Sequence, residues 1–294
     1  MVLAGAFFWS TSGVVLKQMT LPSTMIAGIR AGIAGLALAP FLTRLRLPRP
    51  EAPGYRPLWD PRGWDWRLLP LLGGYTATVL CFTSAIRLTT AANAIALTYT
   101  APAWVFVLTC AAERRVPWRL FPPMALILAG LGVILSEPAH GTSLAGNLLG
   151  LAAGLGFGLF AFFVGRMNQP PIGLVSLTNL FAGTALFLIF PGSFAFGAPS
   201  LSDWAILAYL GIFQIALGHL CFTSALKRIP ATQASVLALA EPMLNPLWVF
   251  LFLGEVPSPY GLAGLAVILL GVCADLWLRR GLRVNLPGRS RAEG

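Results

Sequence analysis

Cys81-Phe82-Thr83-Ser84-Ala85 is written a second time in this chain, as Cys221-Phe222-Thr223-Ser224-Ala225, 140 residues further on (221 − 81). The same register carries past the pentapeptide. It sets Arg87 against Lys227, Ala91 against Ala231, Ala94 against Ala234, Leu97 against Leu237 and Pro102 against Pro242. Upstream Trp64 meets Trp204, and downstream Val116-Pro117 meets Val256-Pro257. At an offset of 148 (151 − 3), Leu3 meets Leu151, Met19 meets Met167, Pro22 meets Pro170 and Ala34-Gly35 meets Ala182-Gly183. Self-similarity of this kind marks two copies of one structural unit. The offset slips where loops differ in length. The expected division is 1–138, 144–278 and a basic tail at 279–294.

Composition decides the solvent. Hydrophobic residues make up 57% of the 294, charged residues only 10%, and mean hydropathy is +0.78. A soluble domain carries about a quarter charged residues, so most of this surface faces lipid. Cys81, Cys110, Cys221 and Cys273 lie in apolar runs without metal or redox spacing and read as small buried hydrophobes. Apolar runs long enough to cross a bilayer as helix, about 18–23 residues, fall at 2–19, 23–43, 67–86, 91–110, 118–136, 146–166, 171–191, 203–226, 231–253 and 259–278. The first starts at Met1 with no basic region ahead of it and reads as a span, not a signal peptide. The expected fold is therefore an all-α polytopic membrane protein with ten transmembrane helices.

The basic residues follow the crossings. With the N-terminus cytoplasmic, the cytoplasmic side receives the arginines of 44–67, Arg114, Arg115, Arg119, Arg166, Lys227, Arg228 and those of the tail, 17 of the 20. Only Lys17 and Arg87 fall on the other side. This asymmetry predicts both termini inside and accounts for the net charge of +10 without nucleic acid. Five spans per copy is an odd number, so the second copy inserts upside down. Inverted five-helix repeats are the architecture of secondary transporters, with substrate held near the midplane where the halves meet.

The residues also resemble a known family. Ser224-Ala225-Leu226, Ile229-Pro230-Ala231, Leu239-Ala240-Glu241-Pro242, Leu253-Gly254-Glu255, Gly264 and Leu270-Gly271-Val272 are similar to the C-terminal half of EamA-type proteins of the drug/metabolite transporter superfamily. Trp9-Ser10-Thr11, Arg30 with Ala34, and Leu131-Gly132-Val133 extend the resemblance to the N-terminal half. The opening Ala6-Phe7-Phe8-Trp9-Ser10-Thr11-Ser12-Gly13 most resembles YddG-type exporters of aromatic and other hydrophobic amino acids. The resemblance implies a ten-helix basket, split five and five, in the bacterial inner membrane.

Polar residues within spans are the first site candidates, because burying them in lipid is costly. Arg30 either meets a substrate carboxylate bidentately or pairs with a backbone carbonyl or Glu241. Glu241 either takes a substrate ammonium or a proton, or forms a buried pair that locks the halves; its repeat partner is Ala101. His219, opposite Val79 in the repeat, is either a satisfied bundle residue or a proton carrier. Gln214 and Asn93, like Asn179 and Asn245, offer hydrogen bonds to substrate or to a neighbouring helix. Among the aromatics Trp9, Tyr75, Phe82, Tyr99, Trp104, Phe157, Phe222 and Trp248, a few are expected on the cavity wall.

Pro102 and Pro242 hold equivalent mid-span positions and Pro246 follows one turn later, so spans four and nine are expected to bend there and act as hinges. Gly150, Gly154 and Gly158, and Gly28 with Gly32, have GxxxG spacing, which serves either a homodimer or packing within the bundle. No zinc-protease, nucleophile-elbow or Walker motif occurs. The expectation is thus a carrier rather than an enzyme, without cofactor or metal, exporting amino acids by alternating access. The alternatives are a carrier of another small metabolite or drug and, in a different class, a membrane scaffold or lipid scramblase.

Overall fold

Backbone N–H and C=O groups in hydrocarbon find no water, so a chain this apolar must satisfy them within helices. The computed structural model describes residues 1–44, 66–114, 118–136, 143–167, 169–195, 197–225, 228–229, 234 and 237–283, and among them every regular element is helical. The Arg-rich stretch 45–65, Arg115, Lys227, the Pro230-Ala231 link and the tail beyond 283 lie outside the described residues.

In chain order the helices are α1 (Val2–Ser10), α2 (Ser12–Gln18), α3 (Ser23–Arg44), α4 (Leu68–Leu88), α5 (Ala91–Thr98), α6 (Ala101–Glu113) and α7 (Phe121–Leu135). They continue as α8 (Leu144–Val164), α9 (Pro171–Ile189), the short α10 (Pro191–Phe194), α11 (Leu201–Ala208), a π-helical stretch Tyr209–Leu217, α12 (Gly218–Ala225), α13 (Ala240–Leu253) and α14 (Pro259–Arg283). Eight helical stretches are long and apolar enough to cross a membrane, counting α5 with α6, and α11 through α12, as one each. Two of the ten expected crossings fall short. The first is interrupted at Thr11, between α1 and α2, and the ninth has a continuous described helix only over Ala240–Leu253, after a turn at Leu239.

Leu36, Leu69, Leu128, Leu188, Phe252 and Leu270 are exposed on the outside of the bundle, as a lipid-facing surface requires. Inside, hydroxyls are satisfied locally. Thr76, Thr78, Thr83, Thr98 and Thr109 each donate to the carbonyl four residues back.

The long helices pack in pairs, α4 along α8, α3 along α9 and α7 along α14. Each seam is set by glycine. A Cβ at Gly74 would lie 2.8 Å from the Gly156 carbonyl oxygen, one at Gly183 2.8 Å from the Gly32 Cα, and one at Gly130 2.7 Å from the Gly264 carbonyl oxygen. Without side chains there, the backbones approach closely, which supplies the packing that lipid cannot drive hydrophobically. The shorter elements fill in around these pairs: α5 and α6 lie on α8, α1 on α12 and α13, the π-helical stretch on α3, and α4 also on α9. Gly150, Gly154 and Gly158 face Leu97, the Thr98 carbonyl and the Ala101 carbonyl, and Gly28 faces Phe194 and Gly183. Both glycine-spaced faces are therefore occupied within the chain.

The matched prolines do something different from kinking a continuous helix. The chain breaks at Tyr99-Thr100, and Pro102 is the second residue of the helix that follows. Likewise a turn at Leu239 precedes α13, in which Pro242 is third. In the first turn of a helix the missing N–H has no intrahelical acceptor to lose, so proline starts these helices rather than bending them. The Thr98 carbonyl freed at the first break faces Gly154. Pro246 alone of the three is interior to its helix. Both helices then end on a left-handed residue, Arg114 (φ 49°) for α6 and Gly254 (φ 67°) for α13.

The Gly154 seam yields a direct test. A side chain there would meet the Leu97 carbonyl and Thr100 Oγ1, both 2.6 Å from its Cβ. Gly154→Leu is expected to destabilise the fold by about 3 kcal/mol, seen as a lowered melting temperature in detergent. Gly132→Ala, whose Cβ meets nothing within 4 Å, is expected to melt as wild type.

Candidate functional site

Arg30 lies on α3 and is 3% exposed, yet its Nε has no hydrogen-bond partner. Its guanidinium is within electrostatic reach of the Tyr75 phenol on α4. The Tyr75 hydroxyl accepts from Asn179 Nδ2 of α9 at 2.8 Å, and the same amide nitrogen donates to the Val175 carbonyl at 2.8 Å. The Tyr75 ring leans on Phe160 of α8, centroids 5.0 Å apart. Gln214 sits on the π-helical stretch, 7% exposed, with Oε1 unpartnered. That stretch packs on α3, where Gly211 rests on the Arg30 carbonyl. Elements in contact thus carry an unmatched cationic donor and an unmatched amide acceptor. A π-helical turn admits one more residue than an α-turn and is a frequent feature of functional sites.

Arg30 does not reach Glu241. Tyr99, at the break between α5 and α6, donates its hydroxyl to Glu241 Oε2 at 3.1 Å. Glu241 stands in the first turn of α13, just past the turn at Leu239. One hydrogen bond therefore joins the two interrupted regions to each other.

Trp9, His219 and Phe222 form a third group. Trp9 lies edge-on to the imidazole at 5.1 Å and tilted against Phe222 at 5.6 Å, with its indole over Gly218. His219 Nδ1 pairs with the Ile215 carbonyl at 2.8 Å, which occupies one ring nitrogen with backbone. Phe82 stands elsewhere, packed with Leu16 and Ile86 in an apolar cluster, and Asn93 is fully buried on α5 beside Gly261. Pro246 lines an apolar groove between α13 and α14 with Met243, Phe250 and Leu265.

A further hub lies at the Thr11 interruption. Ser10 Oγ accepts from Trp248 Nε1 at 2.9 Å, and Ser12 Oγ accepts from Asn245 Nδ2 at 3.0 Å, both from α13. Thr11 Oγ1 donates to the Phe8 carbonyl at 2.8 Å, which leaves the Tyr209 hydroxyl, 3.0 Å away, as donor to it. Three consecutive hydroxyls thus tie the α1–α2 junction to α13 and to the π-helical stretch. The signal for this hub was the uninterrupted Ser10-Thr11-Ser12 run in an otherwise apolar segment.

The profile of the EamA-like transporter family matches residues 1–136 and 144–274. An "Uncharacterized transporter" of Archaeoglobus fulgidus is 27% identical over 272 residues, 92% of this chain and 93% of its own length. "Uncharacterized transporter YwfM" of Bacillus subtilis is 27% identical, covering 92% and 90%. A "Probable terminal-alkyne amino-acid exporter" of Streptantibioticus cattleyicolor is 25% identical, covering 94% and 95%. A solved crystal structure superposes with a TM-score of 0.60 over 97% of each chain at 20% identity, a likeness of fold alone.

The hub predicts coupled energetics. Ser12→Ala and Asn245→Ala are each expected to cost about 1–2 kcal/mol, the price of orphaning a buried polar group. The double variant should cost about 1 kcal/mol less than the sum, measured by thermal or denaturant unfolding in micelles. Strict additivity contradicts the contact.

Proposed function

The chain belongs to the EamA-like transporter family, and on that footing we propose that it is a secondary carrier exporting amino acids by alternating access. In this reading ten crossings form two inverted five-helix repeats, 1–138 and 144–278, in a bacterial inner membrane with both termini cytoplasmic. The packing supports the inversion. Exchanging each segment for its repeat partner turns the α4–α8 contact into the contact of α12 and the π-helical stretch with α1. It turns α5 and α6 against α8 into α13 against α1, and α4 against α9 into the π-helical stretch against α3. The α3–α9 and α7–α14 pairs map onto themselves. Backbone details follow the 140-residue register as well, with breaks before Pro102 and Pro242 and left-handed caps at Arg114 and Gly254 (254 − 114). The two blocks matched by the family profile fall on the two halves.

The observation that carries the substrate reading is the buried Arg30, with no anion beside it among the described residues. A guanidinium out of water calls for a carboxylate, which matches its planar fork. Gln214 Oε1 supplies an acceptor suited to an ammonium, and Tyr75 and Phe160 supply flat apolar walls. A free amino acid with a hydrophobic side chain meets all three requirements. The relative named as an amino-acid exporter favours the same class. Glu241, held by Tyr99 where the halves meet, is the coupling residue of this scheme.

The reading is tested by efflux of radiolabelled phenylalanine, leucine and a panel of other amino acids from proteoliposomes. Arg30→Ala and Arg30→Lys are each expected to lower transport at least tenfold, because neither side chain restores the fork. Full flux in both removes Arg30 from the substrate. Glu241→Gln is expected to abolish the response of transport to an imposed pH gradient, while Pro102→Ala and Pro242→Ala change turnover more than KM. Wild-type behaviour of Glu241→Gln under both conditions removes it from coupling.

A further inference from the structure

Two ion pairs have no part in the groups described so far. Lys17, in the last turn of α2, pairs with Glu255, just past the left-handed cap of α13. Lys17 also donates to the Thr89 carbonyl at 3.2 Å, and Glu255 Oε1 accepts the backbone N–H of Ala91, the first residue of α5, at 2.9 Å. Thr89 Oγ1 donates in turn to Asn147 Oδ1 near the start of α8, at 2.8 Å. The second pair joins Arg166, just past α8, to Glu113, the last residue of α6, at 3.3 Å. The Arg166 guanidinium caps the Phe162 ring at 3.6 Å, and its carbonyl accepts from Arg67 at 3.4 Å.

The α4 helix fixes their positions relative to one another. Arg67 is its N-cap and Thr89 its C-cap, and 21 helical residues lie between them. At 1.5 Å per residue the two pairs are separated by about 30 Å, the thickness of the hydrocarbon core. One pair therefore closes each end of the bundle.

The pairs are also the same pair under the repeat. Each ties the end of a repeat's first crossing to the end of the fourth crossing of the other half, α2 to α13 and α8 to α6. Register agrees within two residues: Lys17 plus 148 is 165, beside Arg166, and Glu113 plus 140 is 253, beside Glu255. Their settings differ. The side chains of Lys17 and Glu255 are 17% and 25% exposed and knitted to three further elements, whereas those of Arg166 and Glu113 are 34% and 58% exposed.

We propose that Lys17–Glu255 and Arg166–Glu113 are the two gates of the transport path, released in alternation, both being made in this structure and the Lys17 end the more deeply covered. The inference rests on the alternating-access reading. It explains why equivalent pairs stand at opposite ends of the bundle, which a pair of incidental surface bridges does not require. An incidental exposed bridge contributes at most about 1 kcal/mol and governs nothing else.

The test uses the full chain, with its four native cysteines replaced and a single reporter cysteine at Tyr99→Cys, reconstituted in vesicles of known orientation. A membrane-impermeant maleimide is applied from one face at a time, so the readout does not depend on transport. Lys17→Met and Glu255→Gln are expected to raise labelling from the Lys17 face at least fivefold. The exchange Lys17→Glu with Glu255→Lys is expected to return it toward wild type. Lys17→Arg, which keeps the ion, serves as the folded reference. Glu113→Gln is expected to leave labelling from the Lys17 face no higher than wild type. Unchanged labelling in Glu255→Gln overturns the gate, as does a rise that is equal from both faces, which reports loosened packing. If no amino acid is transported by the wild type, the carrier reading fails, while the labelling result still stands or falls separately.

Discussion

Inside a bilayer a polar group without a partner has no water to fall back on, and this one constraint orders the whole molecule. Threonines return their hydroxyls to the preceding turn. Where the helix is interrupted, another part of the chain covers the gap. Gly154 lies against the carbonyls freed near Tyr99, and residues of α13 and the π-helical stretch meet the hydroxyls at Thr11. Close packing of glycine on backbone makes this possible, since bulkier residues would hold the freed groups apart. Arg30 Nε and Gln214 Oε1, on elements in contact, are left without partners against this background.

The interruptions put chemistry at the centre of the bundle. A continuous helix displays its side chains on a fixed spiral, whereas a break re-aims the residues on either side. Tyr99 and Glu241 meet because both lie at breaks, and Trp248 and Asn245 find Ser10 and Ser12 because the chain opens at Thr11 between α1 and α2. Elements joined through such short polar contacts, rather than long glycine seams, are the parts able to shift relative to one another. The ion pairs at the two ends of α4 would then decide which end opens.

Much of the architecture was legible in the chain. Apolar run lengths placed the long helices, because a bilayer fixes how many residues a crossing needs, and the repeated pentapeptide suggested a register between two halves. That pentapeptide is itself a packing element: Phe82 lies in an apolar cluster and Phe222 against Trp9. Matched prolines marked the right places but suggested bends, where the structure has a break followed by a new helix. Proline's geometry permits both, and only the neighbouring backbone decides. The interruption at Thr11 was not legible, since serine and threonine are compatible with a continued helix. Nor was the Lys17–Glu255 pair, whose members are 238 residues apart (255 − 17) and separated by nearly the whole bundle in sequence. The Tyr99–Glu241 contact was half visible: each residue was a candidate, but their meeting depends on two breaks coinciding.

The central claim is that this chain carries substrate by exposing one site alternately to the two sides. Counterflow tests it most directly. Proteoliposomes loaded with unlabelled amino acid are diluted into trace radiolabelled amino acid, with no ion gradient. A carrier accumulates label transiently above equilibrium, because returning empty-handed is slower than exchange. Label that merely equilibrates, at a rate independent of the amino acid inside, contradicts the account.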